Sequence, residues 1–394
     1  MLAGPSRLEY DHQRVQSRAP GSSLVASRTK RLALMQGFRL QRIAAVAEMR
    51  PSLPVAGSLL VCGLMAWLPV ARAARVSADE PSRPVRLIFD TDMDTDCDDA
   101  GAMAVLHALA DAGRVEILAT MVSSHYPYSA PCVERINRFF RRPDLPIGVP
   151  KGKGAPIDRG SRYARAIAET FPGTLKTNAD APDAAKLYRK ILASRGDGET
   201  VIVTVGYLTN LRDLLASGPD EHSPLGGREL VRRKVKHYVC MGGRYPEHLD
   251  PGVFGNLKPD PESAVAVVRD WPTTIYFCGL GDDVMTGEPL RAEADDNPVR
   301  RIYELYLGNR PTRPSWDQIA TLFAVFGSEP YWQLRREGYN HIFPNGTNQW
   351  RAEPNDPRHV LIEWKPGGRD RCRAAIDRLM THRPGRDVRL GPIE

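Results

Sequence analysis

Six aspartates crowd a ten-residue segment of the chain: Asp90, Asp92, Asp94, Asp96, Asp98 and Asp99. Two ionised carboxylates about 5 Å apart repel by roughly 3 kcal/mol at an effective dielectric constant of 20. Several that converge therefore need a cation, a shared proton or free contact with solvent. An all-oxygen ligand set favours calcium or magnesium over zinc. The alternative is a solvated loop in which Asp98 and Asp99 cap the next helix, but it explains only two of the six acids.

The elements on either side of this acidic segment place it at the edge of a sheet. An apolar run at residues 85–89 precedes it, and a segment with helical periodicity at residues 100–112 follows it. A loop between such a strand and helix lies at the carboxyl end of the strand, where open α/β sheets bind their ligands. We therefore expect the acids to face a ligand site.

Short apolar runs alternate with segments of helical periodicity along the rest of the chain. The predicted strands are residues 85–89, 115–122, 201–205, 235–241, 274–278 and 359–364, and the predicted helices are residues 100–112, 133–140, 211–216, 261–269 and 370–380. This alternation is typical of βαβ units around a parallel sheet. It predicts a single α/β domain over residues 84–390, with an open, mostly parallel sheet flanked by helices.

Two known acidic patterns fit the segment poorly. An EF-hand loop counted from Asp90 needs glycine at its sixth position and glutamate at its twelfth, where this chain has Thr95 and Gly101. A phosphotransferase of the haloacid dehalogenase type also begins with Asp-x-Asp after an apolar strand, and Asp282 and Asp283 could supply its later metal ligands. The threonine expected two residues after the second aspartate is Asp94, however, so this interpretation ranks second.

A third pattern fits better. Asp-Thr-Asp, a spacer and Asp-Asp-Ala, at residues 90–100, resemble the amino-terminal signature of the inosine-uridine nucleoside hydrolases, with a longer spacer. Further blocks resemble that family in the correct order: Val-Thr-Val-Gly-Tyr-Leu-Thr-Asn at 203–210, Met-Gly-Gly at 241–243, Asn256 followed by Asp-Pro-Glu at 260–262, and Trp-Asp at 316–317. The resemblance extends from about residue 85 to about residue 380. Because it comprises five blocks in the correct order, it is specific to this family. It implies the Rossmann-like fold of that family.

The resemblance also implies a site. Ca²⁺ would be held by Asp92, Asp99, the backbone carbonyl of Thr204 and Asp317, with water and two ribose hydroxyls completing the shell. Cleavage of an N-glycosidic bond passes through an oxocarbenium-like state, so it needs a water nucleophile and nearby negative charge. Asp92 would also act as the general base. Three further residues would bind the sugar: Asp98 at the 2′-hydroxyl, Asn256 at the sugar hydroxyls, and Met241 beneath the ribose, although Met241 could equally be an ordinary core residue.

Three positions depart from the family pattern. Trp316 stands where many members have a histidine that can protonate the leaving base; purine-specific members also have tryptophan there, so Trp316 predicts purine stacking, with Tyr163 opposite. Phe254 stands where a glutamate usually contacts the 5′ end of the ribose. His125 lies near the position of a usual asparagine, where it could replace the missing acid or simply bond to a loop.

The net charge of +7 belongs to the start of the chain. Residues 1–73 carry ten basic and three acidic side chains, so the remainder is neutral and gives no support to nucleic-acid binding. Residues 49–73 have a basic start, an apolar stretch and a small-x-small cleavage site, which predicts a signal peptide. The apolar stretch is too short for a membrane anchor. Residues 1–48 either result from a start codon that was assigned too far upstream or form a disordered extension. The five cysteines after the leader have no metal-ligand spacing and are predicted to be buried free thiols.

These observations favour an exported, calcium-dependent hydrolase, periplasmic or secreted, that cleaves purine ribonucleosides to free base and ribose. The partners implied are a small-molecule nucleoside and, by the resemblance, further copies of the chain. Two alternatives stay open. One is the phosphotransferase, which requires Asp90 as a covalent nucleophile. The other is a calcium- or sugar-binding protein that shares the fold without catalysis.

Overall fold

The computed structural model describes residues 83–155, 162–388 and 390–391. The predicted extension at 1–48 and signal peptide at 49–73 lie outside these residues. The strands are β1 (Val85–Thr91), β2 (Val115–Val122), β3 (Ile147–Gly148), β4 (Thr200–Thr204), β5 (Val235–Met241), β6 (Glu247–His248), β7 (Thr274–Cys278), β8 (Met285–Thr286), β9 (Arg313–Pro314), β10 (Trp332–Arg335), β11 (Tyr339–Ile342), β12 (Asn348–Arg351) and β13 (His359–Trp364). The α-helices are α1 (Asp98–Asp111), α2 (Ser129–Phe139), α3 (Ala164–Thr170), α4 (Ala184–Ala193), α5 (Thr209–Ala216), α6 (Gly227–Lys234), α7 (Pro261–Asp270), α8 (Pro298–Leu307), α9 (Trp316–Phe326) and α10 (Gly368–Met380).

Eight strands form the central sheet, in the order β10-β13-β7-β5-β4-β1-β2-β3. Every neighbouring pair is parallel except β10 and β13, which are antiparallel. The predicted α/β fold with an open, mostly parallel sheet is therefore confirmed. The antiparallel edge strand β10 was not predicted, because its four residues carry too little periodicity to distinguish them from a loop. Smaller sheets join β11, β12 and β6, and β8 with β9.

Hydrophobic layers cover both faces of the sheet. Along β1, Leu87 and Phe89 belong to one buried cluster and Ile88 to the other, as the alternation of side chains along a strand requires. Apolar residues of α1 to α3 and α8 to α10 complete the first cluster, and those of α4 to α7 complete the second. All five cysteines of the described residues are buried free thiols, as predicted. None of the helices in this part of the chain combines the length and hydrophobicity that crossing a membrane requires.

The strand order locates a ligand site between β1 and β4. From β1 the chain continues to β2 and β3 on one side, whereas β4 leads to β5, β7 and β13 on the other. Such a switch point leaves a crevice outside the carboxyl ends of the two strands. Asp90 of β1 pairs with Thr204 of β4, so the acidic segment and residues 204–206 leave the sheet side by side.

Replacing Gly206 with alanine is expected to destabilise the protein. The added Cβ would lie 2.8 Å from the Cβ of Asp92 and 2.7 Å from the hydroxyl of Ser123. Overpacking of this kind costs about 1–3 kcal/mol in the free energy of unfolding, which urea denaturation would measure. Gly218→Ala is the matched control, because its Cβ would meet no atom within 4 Å. Equal stability of the two variants would contradict the close approach of Gly206 to Asp92.

Candidate metal centre

Five carboxylates converge at the switch point: Asp92, Asp96, Asp98, Asp99 and Asp317. Oxygen atoms of Asp96, Asp98 and Asp99 all lie within 4.8 Å of one another. The other two, Asp92 and Asp317, are buried beside them. Burial raises the pKa of the Asp92, Asp98, Asp99 and Asp317 carboxyl groups well above the usual range, and the neighbouring carboxylates raise it further.

The hydrogen bonds in this cluster leave two buried carboxylate oxygens unsatisfied. Asp92 Oδ1 accepts a hydrogen bond from the Thr95 hydroxyl at 3.1 Å, and Asp99 Oδ1 accepts one from the Thr91 hydroxyl. Asp92 Oδ2 and Asp99 Oδ2 are buried and have no hydrogen-bond partner. A buried anionic oxygen without a partner is costly, and a hard cation with oxygen ligands removes that cost. The donor set therefore fits a divalent cation.

Two helix amino termini meet at the cluster. Asp98 and Asp99 lie in the first turn of α1, and Asp317 lies in the first turn of α9. The backbone N–H of Asp317 donates to Asp98 Oδ2 at 3.2 Å, which joins the two helix ends. The partial positive charge of a helix amino terminus favours nearby carboxylates. This explains how the fold tolerates part of the negative charge without explaining the two orphaned oxygens.

Asp96 is a member of the cluster that the sequence did not assign to the site. Its carboxylate forms an ion pair of 2.7 Å with Arg313, and the Arg313 guanidinium packs against the rings of Tyr306 and Trp316. Arg313 therefore neutralises one of the five charges. The longer spacer between Asp92 and Asp98 was the available signal, because the extra residues bring Asp96 into the cluster.

Two of the six aspartates, Asp94 and Asp90, lie away from the candidate cation site. Asp94 has a positive φ of 108°, and its carboxylate accepts the backbone N–H groups of Arg162, Tyr163 and Ala164 at the start of α3. The sequence did not assign it a structural role. The conformation of the loop at Asp94 places this carboxylate at the start of α3.

Asp90 lies beneath the site. Its carboxylate accepts hydrogen bonds from the Tyr188 hydroxyl at 2.9 Å and from Asn210 Nδ2 at 3.1 Å, and burial raises its pKa to about 7. The phosphotransferase interpretation needs Asp90 as an exposed nucleophile, but the side chain is fully buried and does not line the cavity. This geometry counts against that interpretation.

Thr204 ends β4 beside Asp90. Its hydroxyl is hydrogen-bonded to the buried Tyr238 hydroxyl at 2.6 Å. The Thr204 side chain is thus bonded to Tyr238, and Thr204 does not line the cavity described below. The role predicted for its backbone carbonyl stays a prediction.

A cavity of about 230 Å³ opens above the carboxylates. The predicted site residues that line it are Asp92, Asp98, Met241, Asn256, Trp316 and Asp317. Asn256 Nδ2 donates to the Val205 carbonyl at 2.8 Å and contacts Met241 Sδ at 3.1 Å. These contacts fix the amide and leave its oxygen for a ligand hydroxyl.

Trp316 forms one wall of the cavity. Its indole Nε1 donates to Asp282 at 2.9 Å, and Arg313 lies 5.0 Å from the ring centroid. The prediction that Tyr163 stacks opposite Trp316 is wrong. Tyr163 is buried in the core, where its hydroxyl donates to the Asp96 carbonyl at 2.6 Å, because the loop around Asp94 folds over it.

The histidine that lines the cavity is His248, not His125. His248 Nε2 accepts a hydrogen bond from Lys258 Nζ at 2.9 Å, and burial together with the Lys258 charge lowers the pKa of the imidazole. His248 was not predicted, because the two-residue strand β6 that carries it is too short to leave a pattern in the sequence.

The fold and the cluster together define an α/β protein with a carboxylate metal centre at the switch point of its sheet. The chain belongs to the inosine-uridine preferring nucleoside hydrolase family, whose model matches residues 87–340. The predicted family and the predicted class of enzyme, a hydrolase of N-glycosyl bonds, are therefore confirmed. No curated protein sequence matches the chain.

Solved structures of the same fold include a plant nucleoside hydrolase, PpNRh1, which is 19% identical over 76% of this chain and 99% of its own, with a TM-score of 0.56. An inosine-guanosine nucleoside hydrolase is 16% identical over 75% of this chain and 98% of its own, with a TM-score of 0.57. A purine-preferring ribonucleoside hydrolase from Gardnerella vaginalis is 15% identical over 75% of this chain and 99% of its own, with a TM-score of 0.54. At these identities the likeness shows the fold.

Divalent cations are expected to stabilise the protein more at pH 7 than at pH 5. The folded carboxyl groups have raised pKa values, so the unfolded chain ionises first and the metal-free protein loses stability as pH rises above about 4. A cation relieves this repulsion and contributes about 2.7 kcal/mol at 100 times its Kd. Thermal unfolding with calcium or chelator, at pH 5 and 7, measures the difference.

Asp99→Asn is the informative variant for this experiment. It keeps an acceptor for Thr91 but removes one negative charge, so the metal-free Tm should rise at pH 7 and the calcium-induced shift should shrink. Asp144→Asn, an exposed acid outside the cluster, should change neither. A calcium shift in Asp99→Asn as large as in the wild type would contradict the assignment of Asp99 to the cation.

Proposed function

We propose that the chain is a calcium-dependent hydrolase that cleaves purine ribonucleosides to free base and ribose. The observation that carries this proposal is the pair of orphaned carboxylate oxygens in the acidic cluster, Asp92 Oδ2 and Asp99 Oδ2. Calcium is the preferred cation because it accepts six to eight oxygen ligands in flexible geometry, which suits carboxylates, a carbonyl and sugar hydroxyls together. Asp92, Asp99, Asp317 and the Thr204 carbonyl would hold it.

A bound cation would anchor two ribose hydroxyls and make a water molecule easier to deprotonate. Asp92, which lines the cavity, would then accept the proton of that water as the general base. Asp98 uses Oδ2 to accept the Asp317 N–H, which leaves Oδ1 to accept a hydrogen bond from a sugar hydroxyl. The negative charge of the cluster stabilises positive charge that develops on the sugar as the bond to the base breaks.

The base lies against the wall of the cavity that Trp316 forms. Trp316 offers an indole face for stacking, and purines present a larger ring surface than pyrimidines. Two of the proteins that share the fold, an inosine-guanosine nucleoside hydrolase and a purine-preferring ribonucleoside hydrolase, support this preference. Arg313 cannot act as a general acid, because its guanidinium stays protonated. Its positive charge beside Trp316 instead stabilises negative charge on the departing base.

We also propose that the protein is exported, on the basis of the signal-peptide pattern at residues 49–73. Mass spectrometry of the amino terminus of the protein recovered outside the cytoplasm tests this. A chain that retains residues 49–73 there would contradict cleavage.

Asp92→Asn is expected to lower kcat for inosine by about 10²- to 10⁴-fold, because it removes the general base. Release of reducing sugar, with calcium and again after chelation, measures the rate. Asp144→Asn should retain the wild-type rate. Full activity of Asp92→Asn would contradict the mechanism, and hydrolysis that is indifferent to chelation would contradict the cation.

Trp316→Ala is expected to reduce kcat/KM for inosine more than for uridine. Stacking of a base on an aromatic side chain contributes about 1–3 kcal/mol, so the loss for inosine should be roughly 5- to 150-fold. Steady-state kinetics on both nucleosides give the comparison. An equal loss for the two would mean that Trp316 supports the fold of the site without recognising the base.

A further inference from the structure

Exposed apolar side chains cluster at the mouth of the cavity. Among the described residues, the large hydrophobic side chains that are exposed are Leu249 (48%), Val253 (37%), Phe254 (53%) and Met285 (39%). Three of these lie within residues 249–254, the 249–254 loop, and two of them, Val253 and Phe254, line the cavity. Exposed apolar surface that rims a cavity is typical of a ligand-binding site.

Trp316 and the 249–254 loop both line the cavity, and different contacts hold them in place. Trp316 is joined to Asp282 by a hydrogen bond, Asp282 lies 3.5 Å from Arg244, and Arg313 packs on the indole. That wall is aromatic and charged. The wall formed by Val253, Phe254 and the adjoining Gly255 is apolar.

A ribose held at the floor of the cavity would use both walls. Its 2′- and 3′-hydroxyls lie on one edge of the ring, whereas C1′ and C4′ flank the ring oxygen on the other edge. If the diol faces the carboxylates, as the proposed function on which this inference rests requires, the base at C1′ and the group at C4′ point to different walls. With the base on Trp316, the C5′ substituent meets the 249–254 loop.

The polar groups near that loop already bind one another. Lys258 Nζ donates to the carbonyls of Asp250 and Val253 and to His248 Nε2. Burial and the neighbouring Lys258 charge lower the pKa of the His248 imidazole. The carboxylates that line the cavity, Asp92, Asp96, Asp98 and Asp317, belong to the acidic cluster. An apolar group placed against Val253 and Phe254 would cover apolar surface that is otherwise exposed to water.

We propose that the preferred substrates are ribonucleosides that carry an apolar group at C5′ in place of the hydroxyl. A 5′-alkylthio group fits best, because a thioether sulfur packs favourably against an aromatic ring such as that of Phe254. The reaction is the same hydrolysis: the C1′–N bond breaks, water supplies the oxygen bonded to C1′, and a proton goes to the base. The products are the base and a 5-deoxy-5-alkylthioribose.

Comparison of matched nucleosides tests this specificity. We expect kcat/KM for 5′-deoxy-5′-methylthioadenosine to exceed that for adenosine by about tenfold, from apolar burial and sulfur–aromatic contact together. The same ratio is expected for the inosine pair. Adenosine 5′-monophosphate should be the poorest of the three adenine substrates. A higher value for adenosine or for the monophosphate would overturn the proposal.

Variants of the 249–254 loop separate recognition from folding. Phe254→Glu should lower the ratio of kcat/KM for the methylthio substrate to kcat/KM for adenosine about tenfold. Leu249→Glu is the control, since Leu249 is exposed on the same loop but does not line the cavity. An equal effect of Phe254→Glu on both substrates would overturn the assignment of Phe254 to C5′. If calcium-loaded enzyme hydrolysed none of these nucleosides, the proposed function itself would fail, which is a different outcome.

Discussion

Mutual repulsion among buried carboxylates is the constraint on which the site depends. Asp92, Asp98, Asp99 and Asp317 are buried together, and each raises the cost of ionising the others. Arg313 offsets the charge of Asp96, and the helix amino termini offset part of the rest. Two oxygens still have no partner. Such an arrangement is tolerated in a folded protein when a cation completes it, so stability and function share the same requirement.

The fold meets this requirement by bringing together segments that are distant in the chain. Parallel strands β1 and β4 end at the same edge of the sheet, and the start of α9 packs against the start of α1. Residues more than two hundred positions apart, Asp98 and Asp317, are thereby joined by a hydrogen bond. Trp316, at the start of α9, and Phe254, in the 249–254 loop, line the cavity together with four carboxylates of the cluster.

The sequence predicted the features that depend on residue type and order, and missed those that depend on loop paths. The strands, the parallel sheet and the clustering of Asp92 and Asp99 follow from local patterns, and the family blocks added Asp317. The roles of Asp96 and Arg313 depend on how the longer spacer folds, which no periodicity specifies. Tyr163 was predicted to stack on the base because it is aromatic. In the structure its hydroxyl instead donates a hydrogen bond to the Asp96 carbonyl within the core. His248 was missed because the short strand β6, which carries it to the cavity, leaves no pattern in the sequence.

A crystal structure of the full chain with calcium and ribose tests the central claim most directly. We expect one cation at about 2.3–2.6 Å from carboxylate oxygens of Asp92, Asp99 and Asp317 and from the Thr204 carbonyl, with two ribose hydroxyls in its shell. The Asp96–Arg313 ion pair should remain intact. A cation held instead by Asp96 and Asp98 with Arg313 displaced, or a site that stays empty at saturating calcium, would contradict it.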